Sequence, residues 1–217
     1  MRYAEALEYQ REIARQRISG ELDQDLLLLV EHPPVVTLGR SSKQKNLVSS
    51  AEFLASKGVE LFEVERGGDV TFHGPGQLVG YPIIDLTRHK QDLHWYLRSV
   101  EEALINSLKA FEITAERSPG FTGVWTRGRK IASIGVHARD WVTWHGFALN
   151  VTTDLKYFDL IVPCGIDGVV MTSVNRELEP RAVSMESVKK AVAAAFGRVF
   201  GLTPVEVGAP ATANANA

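Results

Sequence analysis

The chain has 217 residues and a formal net charge of −2, from 24 Lys plus Arg against 26 Asp plus Glu. Hydrophobic residues make up 45% and charged residues 23%, a soluble globular balance that excludes disordered and fibrous classes. No basic excess marks the chain for nucleic acid or a membrane surface. Apolar runs such as Leu26 to Val30 are far too short to span a bilayer. The charged N-terminus lacks the apolar core of an export signal, so the cytoplasm is the expected compartment. Length favours one domain over residues 1–207, followed by a disordered tail at 208–217 that lacks large apolar side chains.

In chain order, residues 3–18 place Tyr3, Ala6, Leu7, Ile13 and Ala14 at helical spacing, with Gly20 as a stop. Strand-like runs follow at 25–31 and 34–38. Ser49, three residues before Glu52, has the spacing of a capping box for a short helix at 50–57. Further strands are predicted at 59–65, 69–72 and 77–85. Residues 92–111 put Leu93, Tyr96, Leu97, Val100, Leu104, Leu108 and Phe111 on one helical stripe. Strands at 121–126, 130–138 and 143–151 come next, and the short connection between the last two demands an antiparallel hairpin. A helix over 185–200 starts at the candidate cap Ser184 and stops at Gly201. Strands outnumber helices without alternating with them. That pattern predicts an α/β protein of the α+β kind, a mixed and largely antiparallel sheet flanked by helices, rather than a doubly wound parallel one.

Cys164 is the single cysteine, which excludes an internal disulfide framework and a multi-cysteine zinc site. It sits in IVPCGIDG, where Pro163 and Gly165 build tight backbone able to present a side chain to a cleft. A reactive thiol needs a cationic neighbour. Lys130 opens the strand KIASIGVHA, and simple alternation puts it on the face of Ala132 and Ile134, where its amine would be partly buried. A structural cysteine and a solvated strand-end lysine are the competing readings. The segment 66–86 holds Gly67, Gly68, Gly74, Gly76 and Gly80 among strand formers. It reads as hairpin turns or as a backbone-lined slot for an acyl chain, with Arg66 and His73 as polar fixtures. It has neither a GK[ST] nor the dinucleotide glycine spacing. His32, His73, His89, His94, His137 and His145 form no metal-binding pattern, so no metal or other cofactor is expected. His89 and His94 read as solvated groups at a helix start.

Taken together, RGGDVTFH at 66–73 followed by GPGQLVGYP, KIASIG at 130–135, HGFALNV at 145–151 and PCGI at 163–166 resemble the octanoyltransferases of lipoate biosynthesis. The four blocks fall in the family's order, without a departure inside them. The resemblance implies a single-domain fold like that of biotin and lipoate protein ligases, built around an acyl tunnel. It implies transfer of an octanoyl group from octanoyl-acyl carrier protein to a lysine ε-amine. The acceptors would be lipoyl domains of 2-oxo acid dehydrogenase complexes and the glycine cleavage H protein. Carried over by position, Cys164 is the acyl-accepting nucleophile and Lys130 the neighbour that favours its thiolate and moves protons. The substrate walls would be Arg66, Gly67, Gly68, Asp69, Val70, Thr71, Phe72 and His73, then Ser133, Ile134 and Gly135, then Gly146, Phe147 and Ala148. The oxyanion donors would be amides of Cys164–Gly165 or of Gly74–Gly76. Acidic carriers would favour a basic patch near the cleft, with Arg40, Arg127, Arg129 and Arg139 as candidates. Two other readings compete: an ATP-dependent lipoate or biotin protein ligase, and a non-catalytic acyl-binding module.

Overall fold

The computed structural model describes residues 1–166 and 168–208, with Gln44 described by its backbone alone. The segment 209–217, expected to be disordered, lies outside the described residues. All eight expected strands form: β1 (Leu26–Val30), β2 (Val35–Leu38), β3 (Glu60–Glu63), β4 (Val70–His73), β5 (Gln77–Ile83), β6 (Gly123–Thr126), β7 (Arg129–Arg139) and β8 (Val142–Asn150). The expected helices are α1 (Tyr3–Ser19), α2 (Ala51–Ser56), α3 (Leu93–Lys109) and α5 (Met185–Phe200). A short α4 (Val174–Leu178) was not legible in the sequence. Ser184 caps α5 as expected, accepting from the Ser187 amide. The cap of α2 is Ser50 rather than Ser49: its side chain accepts from the Phe53 amide, one residue later than the capping-box spacing implied.

The strands divide into two sheets. One is five-stranded in the order β1-β5-β8-β7-β6, with every neighbouring pair antiparallel. The other is three-stranded in the order β3-β2-β4, and its β2–β3 pair is parallel. The glycine-rich stretch between β4 and β5 is therefore not a hairpin turn but the crossing from one sheet to the other. Between β7 and β8, Asp140 and Trp141 both have positive φ, 50° and 64°, the two-residue primed turn that matches strand twist.

Helices α3 and α5 cover one face of the larger sheet. Tyr96, Val100, Leu104 and Leu108 of α3 and Val188, Val192 and Phe196 of α5 pack on Leu78, Val124, Ala132, Phe147 and Leu149. On the opposite face Ala6 of α1 meets Val30, Val79, Tyr81 and Ala148. The small sheet has its own core, in which Val36, Val70 and Phe72 pack with Leu54, Phe158, Ile161 and Met171. A cavity lies where the α1 face of the large sheet meets β4 and the loop before it.

Candidate active site

The ladder between β6 and β7 slips at one point: Val124 faces Ala132, but Trp125 faces Lys130. Ile131 is thus the extra residue of a bulge, and bulges re-aim side chains. Ile131 and Ala132 both enter the helix-side core. Lys130, fully buried, lands instead on the cavity face with Ser133. Simple alternation had placed Lys130 with Ala132 and Ile134; the bulge overturns that. Gly123 makes room for the lysine stem, since a Cβ there would lie 2.9 Å from Lys130 Cε and 2.7 Å from the Ala132 carbonyl. The Trp125 ring centroid is 4.9 Å from Lys130 Nζ, at cation–π range.

Cys164 reaches the same point from a loop. Lys130 N donates to Val170 O at 2.8 Å, and Thr172 N donates to Lys130 O at 2.9 Å, so the chain just beyond the cysteine is stitched to the lysine's own backbone. Lys130 Nζ then donates to Cys164 Sγ at 3.2 Å, and Sγ lies 3.6 Å from Ser133 Oγ. Cys164 holds a left-handed conformation, φ 56° and ψ 20°, followed by Gly165 at φ 64°. Asp69 supports this turn: its carboxylate accepts from Asn46 Nδ2 at 2.6 Å and occupies the space a Gly165 side chain would need. The Asn46 carbonyl in turn accepts from Val162 N at 2.8 Å.

The cavity has a volume of about 270 Å³. Of the expected wall residues, Arg66, Gly68, Asp69, Thr71, His73, Ser133, Ile134, Gly135, Gly146, Phe147 and Ala148 line it together with Lys130 and Cys164. Gly67, Val70 and Phe72 do not. Strand alternation turns Thr71 and His73 toward the cavity and sends Val70 and Phe72 into the core of the small sheet. Gly67 donates its amide to Val136 O at 2.8 Å and so joins the loop to β7. Sequence reasoning missed Tyr3, Val79, Tyr81, Phe121, His145 and Ile166 as lining residues. Tyr81 and His145 lay within or beside quoted motifs, whereas nothing local distinguishes Tyr3 from any other helix-face aromatic.

Arg66 is buried, and its guanidinium is committed to Thr37 O, Thr37 Oγ1 and Gly67 O at 2.7–3.2 Å. Burial pulls its pKa below the usual arginine value. Desolvation lowers His32 to about 4 and His73 to about 3. His73 Nδ1 bonds to Gln77 Oε1 at 2.8 Å, while Gln77 Nε2 donates to Asn150 Oδ1 at 2.9 Å. Asn150 Nδ2 completes the chain to Thr172 O at 3.0 Å, behind Lys130. His145 has φ 56° and donates its amide to Gln10 Oε1 at 3.0 Å. Its ring nitrogens have no hydrogen-bond partner among the described residues; Glu65 Oε2 is 3.7 Å away.

The expected basic patch is largely neutralised. Arg129 makes paired bonds to Glu177 at 2.9 and 3.1 Å, Arg127 lies 3.7 Å from the same carboxylate, and Arg139 lies 3.5 Å from Asp140. His89 is not solvated either, but bonds Asp25 at 3.2 Å and stacks on Trp95; His94 is exposed.

Residues 2–197 match the model of the lipoyl protein ligase A/B catalytic domain. An octanoyltransferase of Acidobacterium capsulatum is 53% identical over 213 residues, covering 92% of this chain and 86% of its own. An octanoyltransferase of Gloeobacter violaceus is 52% identical, with the same two coverages. The chain belongs to the octanoyltransferases. The enzyme is therefore an acyltransferase of lipoylation. Its fold matches that of a lipoate-protein ligase A crystallised with ATP, with TM-score 0.74, 19% identity and coverage of 89% of this chain and 81% of that one. A bi-partite lipoate protein ligase of Thermoplasma acidophilum gives TM-score 0.72 at 18% identity, covering 92% and 82%. Among the described residues no helix is long and apolar enough to cross a membrane.

Proposed function

We propose that the enzyme, as one catalytic unit over residues 1–207, moves the octanoyl group of octanoyl-acyl carrier protein to a lipoyl-domain lysine through a thioester on Cys164. The observation that carries this reading is the 3.2 Å contact between a fully buried lysine and the single cysteine at one end of the cavity. An ammonium so placed is a charge-assisted partner for a thiolate and a proton donor to whatever leaves.

The thiolate of Cys164 attacks the donor carbonyl, and the carrier's thiol leaves with a proton from Lys130. Lys130, now neutral, takes a proton from the incoming lysine amine as that amine attacks the Cys164 thioester. Collapse of the tetrahedral intermediate expels the Cys164 thiolate and leaves an amide beside a recharged Lys130. Exchange between thioesters needs no activation by ATP.

For the oxyanion, the Cys164 amide is the favoured donor. Gly165 N already bonds Val162 O at 2.9 Å and neither Gly74 nor Gly76 lines the cavity, whereas Cys164 does and its amide has no acceptor among the described residues. Acceptors on this reading are lipoyl domains of 2-oxo acid dehydrogenase complexes and the glycine cleavage H protein. A single cysteine with no disulfide partner suits a reducing cytoplasm.

The test is an intact mass after incubation with octanoyl-acyl carrier protein, without ATP. A gain of one octanoyl group at Cys164, removable by hydroxylamine and absent in Cys164→Ser, is the expected result. Transfer that requires ATP and free octanoate, with no adduct on the protein, would move the chain to the ligase chemistry instead.

A further inference from the structure

The turn that carries Cys164 is braced by the loop 39–47. Lys43 N and Asn46 Nδ2 both donate to the Asp69 carboxylate, at 3.3 and 2.6 Å, and that carboxylate stands against Gly165. Asn46 O accepts from Val162 N at 2.8 Å, and Leu47 pairs with Ile161. Ile161 and Val162 are in turn walls of a groove of about 530 Å³, which shares Ile166 with the Cys164 cavity. Loop and groove therefore adjoin each other beside the reactive thiol. Arg40, Lys43 and Lys45 are exposed on the loop, and Lys156 and Arg176 are exposed at the groove. Among the described residues none of these five is in an ion pair, unlike Arg127, Arg129 and Arg139. The groove contributes one carboxylate among the described residues, Asp159. Asp69 is already occupied by the amides of Lys43, Asn46 and Val70. The positive excess is local, because the chain as a whole carries −2.

We infer that this surface receives the acyl donor: the groove takes the phosphodiester-bearing arm, and the loop takes an acidic face of the carrier that holds it. The inference rests on the acyl-enzyme reading for the donor's identity. A carrier-borne thioester hangs on a long pantetheine arm, uncharged except at its phosphodiester. With the acyl group in the cavity and the thioester carbon at Cys164 Sγ, the arm leaves from the Cys164 end. The groove beyond Ile166 opens there. Val162, Pro163 and Val170 offer apolar walls to the methyl and methylene groups of the arm, and Lys156 and Arg176 offer cations to its phosphodiester. The carrier surface at the root of the arm then faces the loop, where Arg40, Lys43 and Lys45 complement acidic side chains. An acceptor lysine brings neither arm nor phosphodiester, which assigns the surface to the donor rather than to the acceptor.

The experiment follows Cys164 acylation by octanoyl-acyl carrier protein and by the octanoyl thioesters of phosphopantetheine and pantetheine. The wild type is compared with a loop variant, Lys43→Glu with Lys45→Glu, and a groove variant, Lys156→Ala with Arg176→Ala. The loop variant should raise KM for the carrier about tenfold or more at low salt, with kcat held and both small thioesters unaffected. The groove variant should erase a roughly tenfold preference of the wild type for the phosphorylated arm over pantetheine. A parallel readout does not depend on transfer: the affinity of octanoyl-acyl carrier protein for the Cys164→Ser protein. It should fall about tenfold when the loop substitutions are added, and fall with rising salt. If no donor acylates Cys164 but carrier affinity still drops with the loop substitutions, the surface stands and the acyl-enzyme reading fails. Equal carrier affinity with and without those substitutions, or a loss confined to lipoyl-domain binding, would overturn the loop as the donor's site. A preference for the phosphorylated arm that survives in the groove variant would overturn the groove.

Discussion

At the scale of single residues, the site depends on backbone positions as much as on reactive groups. Gly165 sits at φ 64°, and an added Cβ would come 2.5 Å from Asp69 Oδ2 and 2.9 Å from Asn46 Nδ2. Those two groups are bonded to each other and cannot both move aside. Gly165→Ala should therefore rotate the turn and cut Cys164 alkylation tenfold or more, while costing about 1–2 kcal/mol of stability. Equal alkylation rates in the two proteins would show that the turn does not control the thiol. Lys130→Met poses the complementary question. It keeps an apolar stem in the slot beside Gly123 and Trp125 but removes the buried charge, so the thermal midpoint should hold or rise. Alkylation near neutral pH should slow several-fold, because the thiolate loses its cation. Cys164 and Lys130 were both legible in the sequence as candidates. Their contact was not, because it spans 34 residues and depends on a bulge that no residue in KIASIG announces.

At the scale of elements, the sequence pattern locates strands and helices because each must bury one face. The stripe on α3 is an instance: Tyr96, Val100, Leu104 and Leu108 all lie in the main core. Leu104→Ala should cost about 2–5 kcal/mol in urea unfolding. Octanoyl transfer by the folded fraction should be unchanged, because α3 packs on the sheet face away from the cavity. A proportionate loss of turnover at low temperature would instead tie the helix layer to the chemistry. Pairing between elements is less legible. β4 and β5 are separated by three residues, yet they join different sheets. The choice is made by burial: Val70 and Phe72 are completed by Phe158, Ile161 and Met171, residues far along the chain. The same choice explains why Thr71 and His73 reach the cavity while Val70 and Phe72 do not.

At the scale of the whole molecule, one consequence of enclosing the cavity is that several histidines are buried neutral. His32 falls to about 4 and His73 to about 3 through desolvation, and burial lowers His145 and His137 as well. In the unfolded chain these rings protonate near 6.5. Between about pH 6.5 and 4 the unfolded state binds the extra protons, so stability is complete above that window and falls as pH drops through it. The limiting slope is about 1.4 kcal/mol per pH unit for each histidine, which removes roughly 2 kcal/mol for each of His32 and His73 by pH 5. Glu65 acts in the same direction at lower pH, since the nearby His145 ring and its bonds to Arg11 and Trp144 hold its carboxyl well below the ordinary range. Urea midpoints measured from pH 8 to 5 should decline accordingly. A flat profile would mean that these rings are open to solvent.

By itself the sequence determined most of the element order, the largely antiparallel sheet, the family resemblance and the two candidate reactive groups. These are local properties: alternation, helical spacing, cap and turn chemistry, and short motifs held in one stretch of chain. Only the tertiary structure decided which face of β7 carries Lys130, which residues of the 66–73 motif line the cavity, and that Tyr3 and Tyr81 join them there. Each of those depends on long-range packing, and in β7 a single extra residue is enough to re-aim Lys130. Three of the four arginines expected in a basic patch have carboxylate neighbours instead, for a related reason. Ion pairs such as Arg129 with Glu177 are made between residues 48 apart, where charge counted along the sequence carries no information about partners.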